Sequence, residues 1–391
     1  AVERQGVVGA YDDPAGSLDL DAEHGIIFNG ALPGDAAGSQ VDSAGDLNGD
    51  GLDDLLISAL GAEQPSYGSG QVYVIYGGLT VDESGVFELA DLDGVNGFAI
   101  NGPSGPVAPG PETGAYAAGL GDLNGDGLAD VIMSAPNAPN PRGDRIQAGV
   151  VYVFRGQPTA PSQVNIATAS ALLTVVGVHR GDRLGSTLTT CDLNGDGLDD
   201  LIIGDINASG AGGPRIAPGA GAVYIIFGGL RLGGLRDLAS TPADVTILGN
   251  VRNGRLGFSL GCADINGDGR QDLLIGAPAA RTPGDVSTGA VYVLFGRPSF
   301  PAAINLTATS ADLTVYGASA GDQLGFAVAA GDLNGNGIAD LVMSAPGTTS
   351  PGGGTSAGAV YVIQGRTRWP STIQIAPTNI NAVLYGAQPG D

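Results

Sequence analysis

Short apolar runs recur along the chain, each too brief for a helix and each closed by Gly or Pro. One set covers 55–60, 131–136, 201–206, 273–278 and 341–346. A second set, at 71–77, 150–156, 222–228, 290–296 and 359–365, carries a Tyr at one fixed place: Tyr73, Tyr152, Tyr224, Tyr292 and Tyr361. A third set ends in Gly at 26–30, 98–102, 173–177, 245–249, 313–317 and 382–386. Stretches of small residues such as 257–260 supply a fourth strand. Between these runs the chain is Gly- and Pro-rich, and no helical period intervenes. The pattern predicts four antiparallel strands per repeat, which is one blade of a β-propeller. A solenoid is the runner-up, but its repeats are usually shorter.

The expected fold is therefore all-β, with five repeats visible, forming either a closed five-bladed ring or part of a longer propeller. The third run occurs six times and the others five, which favours a part. Residues 1–25 read as an N-terminal segment and 26–391 as the propeller domain.

A nine-residue polar block precedes each run of the first set, at 46–54, 122–130, 192–200, 264–272 and 332–340; first residues are 76, 70, 72 and 68 apart. In the first block Asp46, Asn48 and Asp50 alternate, so three oxygen-bearing side chains converge while the intervening Gly residues allow a sharp turn. Asp54 closes the far side and the carbonyl of Leu52 adds an oxygen. Such a hard, all-oxygen, strongly negative set suits Ca²⁺. The same positions are Asp122, Asn124, Asp126, Leu128 and Asp130 in the second block, and Asp192, Asn194, Asp196, Leu198 and Asp200 in the third. They are Asp264, Asn266, Asp268, Arg270 and Asp272 in the fourth, and Asp332, Asn334, Asn336, Ile338 and Asp340 in the fifth. One Ca²⁺ per block, five in all, is expected, weakest at 332–340 where Asn336 removes a charge. Arg270 offers only its carbonyl. An EF-hand is excluded because position twelve is apolar in every copy (Ile57, Met133, Ile203, Ile275, Met343) and the flanks read as strands.

Composition sharpens this reading. The net charge is −24, with 40 acids against 16 bases, so a nucleic-acid partner is not expected. All 16 bases are Arg, and of the acids 34 are Asp, the short carboxylate that fits turns and metal loops. No run reaches the ~18 apolar residues of a membrane span. The chain opens on Ala without a signal peptide, as a mature or trimmed form would. Cys191 and Cys262 make no disulfide framework and read as small buried hydrophobes. His24 and His179 sit in no nucleophile motif, and no paired general acid and base stands outside the acidic blocks, so catalysis is not expected. The recurring Tyr residues read as core; Trp369 could stack on a sugar.

Leu256-Gly257-Phe258, the block 264–272, the run 273–278 and Gly-Ala-Val-Tyr-Val at 289–293 together resemble the FG-GAP repeat of integrin α subunits. The resemblance spans about 26–391. It implies a propeller with Ca²⁺ in loops joining first and second strands, ligated by the first, third, fifth, seventh and ninth residues of each block. It also implies a ligand face on the opposite side. The repeats are longer than integrin blades and all five keep the loop, as in a stand-alone, microbial relative; an integrin-type β subunit is not assumed.

The expected role is an extracellular, cell-surface or periplasmic Ca²⁺-binding module for adhesion to a protein or glycan. The variable loops 61–70, 135–148, 206–221, 278–289 and 346–358 would make the contacts. The alternatives are a non-catalytic propeller part of an extracellular lyase or phospholipase, or a structural surface scaffold. Arg142-Gly143-Asp144, a tripeptide that many integrins recognise, lies in one of these loops.

Overall fold

The computed structural model describes residues 25–63, 69–81, 85–103, 117–118, 121–166, 168–169, 171–210, 217–306, 311–350 and 356–386. His24, most of the N-terminal segment and parts of three of the variable loops lie outside them.

Five sheets follow one another along the chain, each built on the predicted four-strand meander. In the fourth, Ser259–Ala263 pairs with Asp272–Ala277, that strand with Ala290–Leu294, and that with Leu313–Tyr316, all antiparallel. The second and third strands are the continuous apolar runs, and in this blade every residue of both is buried. Strands covered on both faces need no polar alternation. The covering comes from neighbouring blades. One core cluster joins Val223, Ile225 and Ile247 of the third blade to Ile275, Tyr292 and Leu294 of the fourth. Others join the second blade to the third, the fourth to the fifth, and the first to the second. The small-residue first strands Ala37–Gly45, Ala117–Ala118, Thr187–Cys191, Ser259–Ala263 and Val328–Gly331 lie side by side in that order. Sheets of this kind, packed face to face through apolar layers, are those of propeller blades.

Two features depart from the sequence reading. First, four of the sheets are mixed and five-stranded. A short strand from the next repeat adds parallel to the fourth strand: Gln163–Asn165 on Gly97–Asn101, Gly234–Asp237 on Leu173–Val176, Ala303–Asn305 on Val245–Leu248, and Thr372–Gln374 on Leu313–Tyr316. The run at 26–30 makes the same pairing, Ile27–Asn29 lying parallel to Val86–Glu88. These added strands are only three or four residues long, with few apolar side chains, so hydrophobic periodicity does not reveal them.

Second, Cys191 and Cys262 form a disulfide, which corrects their reading as independent hydrophobes. Cys191 ends the first strand of the third blade, and Cys262 lies one residue from the end of that of the fourth, with Cα atoms 6.2 Å apart. The bond spans the seam between two blades, a proximity that sequence spacing alone does not supply.

Candidate metal centres

Each acidic block forms the loop between the first and second strands of its blade, with strands on both sides and no helix, as expected. The first Asp curls the loop around itself. One oxygen of Asp46 accepts from the N–H of Gly49 at 2.6 Å, the other from Gly51 at 2.9 Å. Asp122, Asp192, Asp264 and Asp332 repeat this with their own glycines. Gly49 and Gly51 have φ of 82° and 86°, a left-handed conformation that side chains resist. The fifth residue accepts from the N–H of the seventh in every loop, Asn336 serving Ile338 as Asp50 serves Leu52.

The ninth Asp does more than close the loop. Asp272 accepts from the N–H of Ile265 at 3.0 Å and, through its other oxygen, from the N–H of Gly296 at 2.9 Å. Asp54, Asp130, Asp200 and Asp340 bond Gly77, Gly156, Gly228 and Gly365 in the same way. These glycines end the Tyr-bearing runs, and their bareness is required by close approach. A Cβ on Gly296 would meet the carbonyl of Gln271 at 2.5 Å and Cβ of Arg270 at 2.8 Å. The recurrent Gly was visible in the sequence, but its partner, 23 to 28 residues upstream, was not.

The loops also tie neighbouring blades together. The carbonyl of Asp46 accepts from Ala129, that of Asp122 from Asp199, and that of Asp264 from Ala339. The second residue of a loop does likewise, Leu193 O accepting from Arg297 and Ile265 O from Arg366. Trp369 joins this seam, its indole N–H donating to Ile265 O at 3.0 Å while Arg366 lies 4.7 Å over its ring. That places Trp369 in a packing role rather than on a free sugar platform.

Burial pushes the ninth carboxyl up, to about 7 in Asp200 and Asp272 and about 6 in Asp130; Asp54 is also raised. The negative charge of the fifth residue adds to the effect in all four, and that of the first residue in all but Asp130. Asp199 is raised to about 6 by burial, then by Asp192 of its own loop and Asp122 of the neighbouring one. Among the described ion pairs none includes a carboxylate of these loops. Negative charge is thus concentrated on the rim, where Arg270 is the one base within the five blocks and forms none of the described ion pairs, and a hard divalent cation fits that donor chemistry.

The side chains do not, however, converge on one point. Among the described residues no group of three or more His, Cys, Asp or Glu lies close enough to hold a metal ion. The third-position Asn shows why. In the last four loops its amide NH₂ faces the ninth Asp, as in Asn334 to Asp340 at 2.9 Å. In the first, Asn48 donates to Asp50. Ligation would require the amide to turn its oxygen inward and the carboxylates to exchange N–H partners for the ion.

Arg142, Gly143 and Asp144 are all exposed, in a turn where Asp144 accepts from Asn140 at 2.6 Å. His179 donates its backbone N–H to Asp182 and has its ring 3.2 Å from the same carboxylate. No described helix is long and apolar enough to cross a membrane.

Successive blade-like sheets, each opened by an acidic hairpin loop on one rim, define a repeat protein of the β-propeller type. The FG-GAP repeat model matches residues 37–75, 114–154, 256–294 and 324–363, so four of the five blades carry the FG-GAP repeat, which is shared with integrin-type propellers. The third blade is structurally equivalent though it lies outside those matches. It has Ser186 where the next two blades have Phe258 and Phe326, and Asp205 where the other four blades have Ala. Phosphatidylinositol-glycan-specific phospholipase D of Dictyostelium discoideum is 30% identical over 296 residues, 72% of this chain and 29% of that protein. The Bos taurus protein of the same name is 31% identical over 54% of the chain and 24% of its own length. Integrin alpha-PS2 of Drosophila melanogaster is 30% identical over 59% of the chain and 15% of its own length. The chain thus spans less than a third of each of these relatives.

Proposed function

We propose that the chain is a Ca²⁺-binding, non-catalytic propeller that serves as the binding part of an extracellular, phospholipase-type protein. The observation that carries this reading is the fivefold repetition of a loop with unbalanced carboxylates and a buried ninth Asp. Asp46, Asn48, Asp50, the Leu52 carbonyl and Asp54, with their counterparts in the other four loops, are the proposed ligands. When bound, the cation supplies charge neutralisation, which locks the loops that bridge adjacent blades. The phospholipase D relatives support placing the module beside a hydrolase. The inter-blade disulfide supports an oxidising, extracellular setting.

A direct test is Ca²⁺ titration followed by calorimetry and thermal melting. Uptake of about five ions with a rise in Tm is expected; a melting curve identical in Ca²⁺ and EGTA sinks the proposal. A second reading, adhesion in the manner of a cell-surface receptor, is favoured by the integrin relatives and by the exposed Arg142-Gly143-Asp144 turn. EGTA-sensitive capture of extracellular-matrix proteins, abolished by Asp144→Glu, would support it; unchanged capture by that variant would remove the tripeptide from consideration.

A further inference from the structure

The rim opposite the acidic loops carries a cavity of about 730 Å³ at the fourth blade. Its walls are the turn that enters the blade, with Asn250, Arg252 and Asn253, and the Arg281 end of the hairpin between the second and third strands. Its floor is formed by Tyr292 and Tyr316, both buried, with Tyr316 close enough to add to the effect of burial on the Tyr292 phenol.

Comparison with the other blades shows what is unusual. In the first, third and fifth blades the entering turn carries Asp35, Asp182 and Asp322. Each accepts from a backbone N–H three residues earlier, in Leu32, His179 and Ser319 respectively. Each also lies near the floor tyrosine, Tyr73, Tyr224 or Tyr361, whose pKa is raised first by burial and further by that carboxylate, with Asp205 adding to the effect on Tyr224. In the fourth blade Gly254 replaces that Asp, and its N–H donates to the Val251 carbonyl at 2.8 Å. The carboxylate is gone from above the floor, and two guanidinium groups face the space. Arg281 donates to the backbone carbonyl of Asp285 at 3.0 Å and to its carboxylate at 3.1 Å, an ion pair whose two side chains are 46% and 85% exposed and therefore weak. Arg252 takes part in none of the described ion pairs. In a chain of net charge −24, a pocket lined by Arg252 and Arg281 against the single carboxylate of Asp285 has local charge of the opposite sign.

The volume lies in the range of small-molecule sites. The lining is mostly polar: planar amides that donate and accept, phenol and Thr282 hydroxyls, guanidinium forks, and the one carboxylate of Asp285 at the Arg281 side. Such a set matches a ring of hydroxyls bearing an anionic group. We propose that this pocket binds an anionic saccharide, its carboxylate or phosphate held by Arg252 and Arg281 and its hydroxyls by Asn250, Asn253 and the tyrosines. The proposal deepens the reading of the chain as a binding module and rests on it.

The test uses the full chain in saturating Ca²⁺. Saturation-transfer NMR is run with glucuronate, glucose 6-phosphate and glucose, and with inorganic phosphate as competitor. At least one charged sugar should bind tenfold or more tighter than glucose; which one identifies the anion. The double substitution Arg252→Gln, Arg281→Gln should weaken that binding at least tenfold. Both side chains are exposed, so circular dichroism and Tm should be unchanged, and Arg252→Lys, Arg281→Lys should restore part of the affinity. Equal binding of glucose and both charged sugars, or full binding by the Gln variant, overturns the proposal. So does displacement by phosphate as effective as by glucose 6-phosphate, which would mean a bare anion site. The Ca²⁺-dependent Tm is read on the same samples. A failed pocket with an intact Ca²⁺ response is therefore distinct from failure of the module reading itself.

Discussion

Asp272 accepts a hydrogen bond from the N–H of Gly296, on the far side of the second and third strands of its blade, while its other oxygen holds Ile265. One buried carboxylate thus fixes the acidic loop to the end of the Tyr-bearing strand. Asp272→Ala leaves both N–H groups without their charged acceptor. The expected loss is about 2–4 kcal/mol, from two charge-assisted bonds of roughly 1.5–3 kcal/mol each partly recovered by water. Because these bonds form without metal, the loss should appear in urea unfolding in EGTA as well as in Ca²⁺. A loss confined to Ca²⁺ would mean that Asp272 is a ligand only.

Gly296→Ala probes the same contact from the other side. The added Cβ has 2.5 Å to the Gln271 carbonyl, so the loop or the strand end must shift. Destabilisation of about 1–3 kcal/mol is expected, as for overpacking of a tight site. The same substitution at Gly269, where a Cβ meets nothing within 4 Å, is strained only by its φ of 86° and should cost less. Equal costs in chemical denaturation would contradict the steric explanation.

The fifth loop has Asn336 where the others have Asp. Under the Ca²⁺ reading, calorimetry should resolve one weaker site, and Asn336→Asp should strengthen it toward the others. Each occupied site stabilises the fold by about 2.7 kcal/mol at a hundredfold excess of free Ca²⁺ over Kd. Five equivalent sites before the substitution would refute the ranking.

Asp205 is fully buried, and neither carboxylate oxygen makes a well-formed hydrogen bond, the nearby N–H groups of Asn207 and Ala208 only partly offsetting its burial. Burial, then the nearby Asp182 charge, pushes its pKa well above the ordinary carboxylate value. The folded chain therefore keeps a proton that the unfolded chain releases. Its favourable contribution is complete below the unfolded pKa of about 4 and is lost as pH rises through the folded value. Asp205→Ala, matching Ala59, Ala135, Ala277 and Ala345, should have its smallest benefit at low pH. At neutral pH it should stabilise by about 1–3 kcal/mol, the usual range for an unsatisfied buried polar group. Urea midpoints across pH 3–8 would show this; a flat difference would refute it.

Reducing the Cys191–Cys262 bond frees two cysteines 71 residues apart in sequence. The chain-entropy model gives about 4 kcal/mol for a loop of that size. Melting with and without reductant, alongside the Cys191→Ser, Cys262→Ser variant, should show a fall in Tm. No change in either would place the bond outside the stability of the fold.

The long apolar runs and the D-x-N-x-(D/N)-G blocks made the meander legible, because continuous burial and sharp acidic turns both leave marks in sequence. What escaped notice depends on distance along the chain. Gly77 and Gly296 gave no sign of bonding Asp54 and Asp272. Gln163–Asn165 and Thr372–Gln374 have too few apolar residues to register as strands. Cys191 and Cys262 became partners only when two blades met. The candidate ligands all fall in the loops that join first and second strands, yet the internal bonds of Asn124, Asn266 and Asn334 to the ninth Asp arise from backbone geometry that residue type does not encode.

The added parallel strands mean that structural units and sequence repeats are out of phase. A segment cut at the boundary of one acidic-loop period would leave Leu313–Tyr316 without Thr372–Gln374, exposing a row of unpaired amides and carbonyls. Excised blades should therefore aggregate unless the cut is moved downstream to include the borrowed strand, and grafts between related proteins need the same overhang.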